Sequence, residues 1–486
     1  MKYFKYIALI LMVSITVSCS DFLDAELNSA ITTDSYYKNV DELENGLIGV
    51  YAGIKGVNSS SKDDSHGVQW EFYVTEMRSD NTSTKSPDSE DASDAGQMES
   101  FAVLPTNNFV LNYYTSSFEV IYRANVILSN LDVVEDAEAA AAIEGEAKFL
   151  RAYSYFNLVR LFGDLPLIDR VVTPSEVETQ FTRVDTDLIY DLIVSDLEAA
   201  AVSIADHGYK TRASKDAAKA LLAKVHLTIG TSESYTKAQL LCEEIINSGN
   251  YKLEDFADVF YSELNDEVIF AIGYNSGIQD NSQIFSAEWM NAQGHTSGVN
   301  YATTDVVAAI DARGGTRTQN SYREDPLTLF GGTIRYQVAK YFPDGESGGS
   351  DGQTFTGLPQ LAGNDWIVLR YADVLLMHTE AILAGGTETT NGNAIDSYME
   401  VRERAGFTDR PSTLTKLELL AERRVELAFE NQRLFDLIRF NEAQSILSAF
   451  ATANGFTFTS TDLLLPIPQN EINLSQGVMN QNPGYN

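Results

Sequence analysis

The chain reads as an all-α protein, a right-handed scaffold of tetratricopeptide-like helical hairpins that carries long irregular loops. Three observations lead there. Nearly every periodic segment repeats its apolar residues at helical spacing, small alanines stand where helices would cross, and short glycine-containing turns separate paired segments. The roughly 34-residue tetratricopeptide consensus is absent, so the expectation is stacked hairpins without a regular array. A single hairpin cannot bury its apolar faces, and the hairpins must therefore stack.

The elements follow in order. Residues 1–18 read as a signal peptide: Lys2 and Lys5 precede an apolar run from Ile7 to Val17 that is too short to span a bilayer, and small Ser18 stands before Cys19. A cysteine in that place suggests a lipoprotein signal, with Cys19 acylated as the new N-terminus; a plain secretory signal with a coincidental cysteine is the alternative. Residues 19–486 then form one mature domain. Glu144 to Phe162 is a helix with Phe149, Ala152, Tyr153, Phe156 and Val159 on one face, and Leu150, Leu158 and Leu161 widen that stripe. Gly163 ends it and Pro166 prevents its resumption. Ser214 caps KDAAKALLAKVHLTI, whose antiparallel partner runs from Ala238 to Ile246. A third pair comprises Asp365 to Ala384, halted at Gly385-Gly386, and Ala394 to Ala405, halted at Gly406.

Leu414 to Phe440 reads as one long helix with an apolar face of Leu420, Leu427, Leu434 and Ile438. Arg423–Glu426, Glu430–Arg433 and Asp436–Arg439 are pairs of opposite charge at i, i+3. The bland reading is a solvated face. Arg424 adds to the densest basic run in an acidic chain, however, which suggests internal acidic partners; buried, paired arginines would fix geometry more than they add stability. Between the helices lie three long polar stretches, Asn58–Gln97, Asn275–Asn300 and Pro343–Asn364, of a length that is usually functional or disordered.

Composition excludes several classes. The 486 residues are 44% hydrophobic, ample for a large core, and carry 34 Lys+Arg against 69 Asp+Glu, a formal charge of -35. That field repels nucleic acid. Only two cysteines are present, so with Cys19 lipidated Cys242 has no partner and behaves as a small buried apolar residue. Catalysis has little support. A glycosidase needs two carboxylates at a set separation, and with 69 acidic residues close carboxylates arise by chance. Gly348–Gly352 matches G-x-S-x-G but follows the loop sequence FPDGE where a buried strand is required. The histidines at 66, 207, 226, 295 and 378 form no paired-ligand spacing; His226 and His378 read as satisfied structural residues within helices. The acidic loop Asp88–Asp94 lacks the order of an EF-hand and reads as solvated charge in preference to a Ca²⁺ site. No cofactor or metal is called for.

Binding chemistry fits better. Sugars present apolar C–H faces ringed by hydroxyls, so their sites pair flat aromatic rings with amide and charged hydrogen bonders. The chain has 24 Tyr and three Trp. Trp289 stands in a polar stretch with Asn291, Gln293, His295, Asn300 and Tyr301, and Trp70 in another with Tyr73, Asp80 and Asn81. Tyr322, flanked by Arg317 and Arg323, is a weaker third candidate. The alternative for both tryptophans is that each plugs its loop onto the core. Trp366, at the start of a helical segment, is assigned to packing.

Three blocks, EAKFLRAYSYFNLVRLFGDLPLI, ERRVELAFENQRLFDLIRF and LLLPIPQNEINLSQGVMNQNPGY, resemble the hallmark blocks of SusD-like (RagB/SusD) outer-membrane lipoproteins. CSDFLD at the processing site, Tyr51 in NGLIGVYAGI, RANVIL and WIVLRYADVLLMHTEA extend the resemblance over essentially the whole mature chain. It implies an α-helical fold anchored by lipid on the outer face of the outer membrane, and a role as the lid of a SusC-like TonB-dependent transporter. It further implies a non-enzymatic protein that captures oligosaccharides for import. The acidic surface favours a neutral glycan. A peptide-capturing RagB-like protein is the alternative within binding, and a surface glycoside hydrolase the alternative outside it.

Overall fold

The structure is a computed structural model, and it describes residues 36–59, 61–84, 94–262, 265–290, 300–324, 335–342 and 359–485. Helices dominate. Those used below are α1 (Val40–Lys55), α2 (Asn108–Leu128), α3 (Ala137–Phe162), α4 (Thr186–Ser203), α5 (Lys215–Ile229), α6 (Ser232–Ser248), α7 (Thr304–Arg313), α8 (Tyr371–Leu383), α9 (Gly392–Arg404), α10 (Lys416–Glu426), α11 (Arg433–Arg439) and α12 (Ala443–Ala453). Among the described residues no helix is long and apolar enough to cross a membrane.

Local chemistry sets the helix ends. Asn39, Asp136, Asp185, Ser214, Thr231 and Asn391 each accept a backbone N–H of the first turn of the helix that follows, satisfying donors that the helix itself cannot. Gly230, at φ 69°, closes α5 in the left-handed region, and Thr231 opens α6 at once, so the two must fold back on each other. Ala384 takes the same left-handed position at φ 47° after α8. Each of α1 to α6 packs against the next, α6 packs on α8, and α8 packs on α9, giving a continuous stack of hairpins. α3 lies in its middle, covered by α2 and α4. From Ala147 to Phe162 nearly every residue is buried, which accounts for the wide apolar stripe in its sequence.

Two helices are shorter than their sequences suggest. Asp365 to Ala384 is not one helix: Trp366–Arg370 is a strand that pairs antiparallel with Val268–Ile272, and α8 begins only at Tyr371. The run W-I-V has strand propensity, and the apolar strand VIFAI offers it a partner. Trp366 is 4% exposed and packs edge-on against Phe285, so its packing role holds while its helical setting does not. Leu414 to Phe440 divides into α10 and α11, interrupted where Phe429 (φ 68°) and Asn431 (φ 59°) enter the left-handed region. Within the break, Glu430 pairs with Lys340 and Arg370.

The charges of this segment do find internal partners. Glu426 accepts from Arg317 at 2.6 Å and from Arg370 at 2.6 Å, and also pairs with Arg404. Arg370 also reaches Glu267 at 2.7 Å and Glu430 at 2.7 Å. Arg423 bridges Asp373 and Asp436, Arg433 grips Asp80, and Arg439 pairs with Glu380. Asp436–Arg439 survives as an i, i+3 pair at 2.8 Å. Burial alone would raise the Glu426 carboxyl, but Arg404, Arg370 and Arg317 hold it well below the usual range. Cys242 is buried and free, its thiol pushed up by burial. His378 is satisfied by Ser397 and Glu243, whereas Nδ1 of buried His226 has no partner among the described residues.

Candidate functional site

Of the polar stretch Asn58–Gln97, the described residues carry regular structure. Short helical turns at 67–78 lead into strand β1 (Thr82–Thr84), and a helical turn covers 94–99. With β2 (Val268–Ile272) and β6 (Trp366–Arg370) forming the pair described above, three further strands join β1: β3 (Asn300–Ala302), β4 (Tyr322–Glu324) and β5 (Tyr336–Val338). They make a four-stranded antiparallel sheet in the order β1-β3-β5-β4, with Thr82 opposite Ala302, Ala302 opposite Tyr336, and Tyr322 opposite Val338. The sheet gathers strands from the second polar stretch and its neighbours onto one scaffold beside α7.

That scaffold presents an aromatic and cationic patch. Tyr322 and Tyr336 are half-buried and meet edge to face, ring centroids 5.4 Å apart. The Tyr322 hydroxyl donates to Asp311 of α7 at 2.5 Å; burial, then that carboxylate, raises its pKa. The Arg335 guanidinium lies 4.7 Å from the centre of the buried Tyr301 ring and donates to its hydroxyl. Arg323 donates to Gln337 at 2.9 Å and covers Phe342. Two partly exposed rings with guanidinium, carboxylate and amide groups around them suit the alternating apolar and hydroxyl surfaces of a sugar.

The structure distributes the sequence candidates unevenly. Trp289 is fully buried among Phe72, Tyr341 and Phe429, with no face to offer a ligand: the reading of Trp289 as an exposed platform gives way to its role as a plug. Its neighbours Asn291, Gln293 and His295 lie outside the described residues, as does Cys19. Trp70 and Tyr73 are also core residues. Trp70 stacks on His66 at 3.6 Å, and Tyr73 stacks on Phe109 at 3.8 Å, which pins the loop before them onto α2. Tyr301 and Tyr322 do come together on the sheet. Sequence reasoning passed over Arg335 and Tyr336; the strand-forming run Y-Q-V, which pairs with Tyr322–Glu324 and sets Tyr336 opposite Glu324, was the available signal.

Under the root of β1 sits a buried carboxylate, Glu76. Asn81 Nδ2 donates to it at 3.0 Å, and its other oxygen has no partner among the described residues. Burial pushes its pKa up to about 7. Asp80, equally buried, stays low because Arg433 and Arg424 outweigh that burial. No group of three or more His, Cys, Asp or Glu that could hold a metal occurs among the described residues.

Two family models match the chain, one described as the SusD family over residues 336–485 and one as "Starch-binding associating with outer membrane" over residues 21–227. The chain belongs to the SusD-like family. SusD-like protein P2 of Formosa agariphila is 27% identical over the whole of both chains. Starch-binding protein SusD of Bacteroides thetaiotaomicron is 24% identical over 81% of each chain. Among solved structures, a laminarin-binding SusD-like protein is 26% identical with a TM-score of 0.73, covering 92% of this chain and 100% of the other. The mostly helical architecture is the SusD-like fold.

Proposed function

We propose that this chain is a non-enzymatic, cell-surface glycan-binding lipoprotein of the outer membrane. Held by lipid on Cys19, it captures a neutral oligosaccharide and delivers it to a SusC-like TonB-dependent transporter. The observation that carries the reading is the end-to-end likeness to a laminarin-binding SusD-like protein, together with a family model whose description combines starch binding and outer-membrane association. The Tyr322–Tyr336 patch is the part of this molecule best suited to the task, since its rings are partly exposed and ringed by hydrogen-bonding groups. Glu426, Glu430 and Asp436 of the α10–α11 segment are engaged in buried ion pairs, which fits a structural role for them.

The test uses the full-length protein in mild detergent. Its migration through native gels containing laminarin, starch or xylan should be retarded by at least one of these polymers, without shortening it. Retardation by none of them, with binding to peptides instead, overturns the glycan reading. Co-expression with a SusC-like TonB-dependent barrel should yield a complex under mild detergent, and Cys19→Ala should move the protein to soluble fractions.

A further inference from the structure

A cavity lies apart from the sheet patch, against the β2–β6 strand pair. β2 is flanked on its other side by the backbone of Lys210, whose carbonyl accepts from Ala271 N at 2.9 Å. The segments 273–281 and 359–365 close over the end of the pair: Gly277 N donates to Leu361 O at 3.0 Å, and Gln283 and Ala362 exchange backbone hydrogen bonds. Gly363 permits this approach, since a Cβ there would stand 2.6 Å from Ser276 N. The result is a pocket of about 320 Å³ whose lining includes Lys210, Phe260, Tyr274, Asn275, Ser276 and Asn364.

The chemistry of this lining is mixed. Tyr274 is 2% exposed and its hydroxyl is occupied by Lys55 O at 2.8 Å, so the ring is held rigidly. Lys210 is steadied over the Tyr251 ring at 4.7 Å from its centre. Asn364 donates through Nδ2 to Phe342 O at 2.9 Å, which leaves its buried Oδ1 with no partner among the described residues. Asp365 Oδ1 accepts from Tyr274 N at 2.9 Å. The half-buried Phe260 ring, an ammonium donor, an amide acceptor and the Ser276 hydroxyl line a space at the small end of ligand pockets, which run from about 300 to 1,000 Å³, with the buried Tyr274 ring as its rigid backing.

We infer that this pocket binds a single neutral sugar residue, a free monosaccharide or the end of a chain, at a site separate from the sheet patch. The size excludes a long glycan laid lengthwise. The mixture of one cation with Asp365 and uncharged groups, in a chain of formal charge -35, favours a polyol over an anion. The inference concerns a different site from the one proposed above and does not depend on the Tyr322–Tyr336 patch.

Saturation-transfer NMR on the full-length protein in detergent tests it, with glucose, galactose, mannose and xylose as separate probes. At least one sugar should give saturation transfer. The signal should persist in Tyr322→Ala and Tyr336→Ala, and its apparent affinity should fall by roughly tenfold in Lys210→Ala and in Asn275→Trp, which fills the mouth. Both positions are at least partly exposed, and unchanged melting temperatures establish that the variants fold. No signal from any of the four sugars overturns the inference. So does a signal that survives both pocket variants, or one that disappears with the sheet variants alone. Polysaccharide retardation, which reads the sheet patch, then stands or falls separately.

Discussion

The segment around Arg370 and the sheet around Tyr336 use the same residue types to opposite ends. At Arg370 the guanidinium, three carboxylates and a lysine are withdrawn from water, each within hydrogen-bond reach of an opposite charge. At Tyr336, two tyrosine rings and a guanidinium sit half-buried at a surface. Burial decides which of the two a cluster of arginine, acid and tyrosine becomes. In low dielectric a charge must be matched exhaustively and then locks the backbone, whereas at the surface the same group remains available.

The comparison breaks first at Arg370. Its guanidinium serves Glu267, Glu426 and Glu430 together, so Arg370→Ala strands several buried negative charges. Removing one partner of a buried pair costs about 3–5 kcal/mol, and here the loss is at least that large. The expected outcome is a protein that is insoluble or melts far below the wild type. A melting temperature within a few degrees of wild type shows that water reaches the cluster and that the contrast with the sheet is false.

Next is Trp289→Ala. Emptying a fully buried tryptophan site costs about 3–5 kcal/mol through lost contacts and a residual cavity. Thermal unfolding should drop steeply while the affinity of the remaining folded protein for glycan is unchanged. A stable variant that no longer binds would restore Trp289 as a ligand contact.

Glu76 adds a pH dependence to the buried side. Its folded pKa, about 7, lies above that of an unfolded glutamate, so the folded state holds its proton more tightly. The sign follows: from the unfolded pKa up to about 7 the unfolded chain has released the proton and the folded one has not, and stability falls as pH rises through that window, levelling above it. The total is on the order of 3 kcal/mol. Glu76→Gln should therefore gain stability over wild type at pH 8 and little at pH 4.5. Equal differences in melting temperature at the two pH values would show that Glu76 titrates normally.

How much of this was legible beforehand depends on what each residue's neighbours are. The helix pair at Ser214–Ile246 was readable because its cap, its periodicity and its closing glycine are all local. The strand at Trp366 was not, since W-I-V-L-R is compatible with a helix until VIFAI, about a hundred residues earlier, claims it as a partner. The internal partners of Arg423 and Arg433 were anticipated from charge density, but their identities required the fold, because Asp373 and Asp80 come from distant segments. Trp289 misled because a polar sequence around an aromatic residue reports its neighbours' exposure and not its own. Tyr336 lies in a strand-forming run with no tryptophan beside it, and only its ring contact with Tyr322 in the fold marks it.

The smallest effect is the one that sharpens the surface side of the comparison. Tyr336 and Tyr322 meet edge to face at the margin of the core and are only half-buried, so removing either ring leaves a smaller void than emptying a fully buried site. Loss of an aromatic stacking partner costs about 1–3 kcal/mol in nucleic-acid sites, and a sugar face stacked on tyrosine obeys the same physics of an apolar face on a ring. Tyr336→Ala should therefore weaken glycan binding by roughly tenfold or more while the melting temperature stays within a few degrees. Tyr322→Phe is the informative companion: it keeps the ring and loses only the bond to Asp311, so stacking predicts near-normal affinity and hydroxyl recognition predicts a loss. If both variants bind as wild type, the patch is not the platform. If Tyr336→Ala instead melts as far below wild type as Trp289→Ala, the two regions are alike and the distinction drawn from burial does not hold.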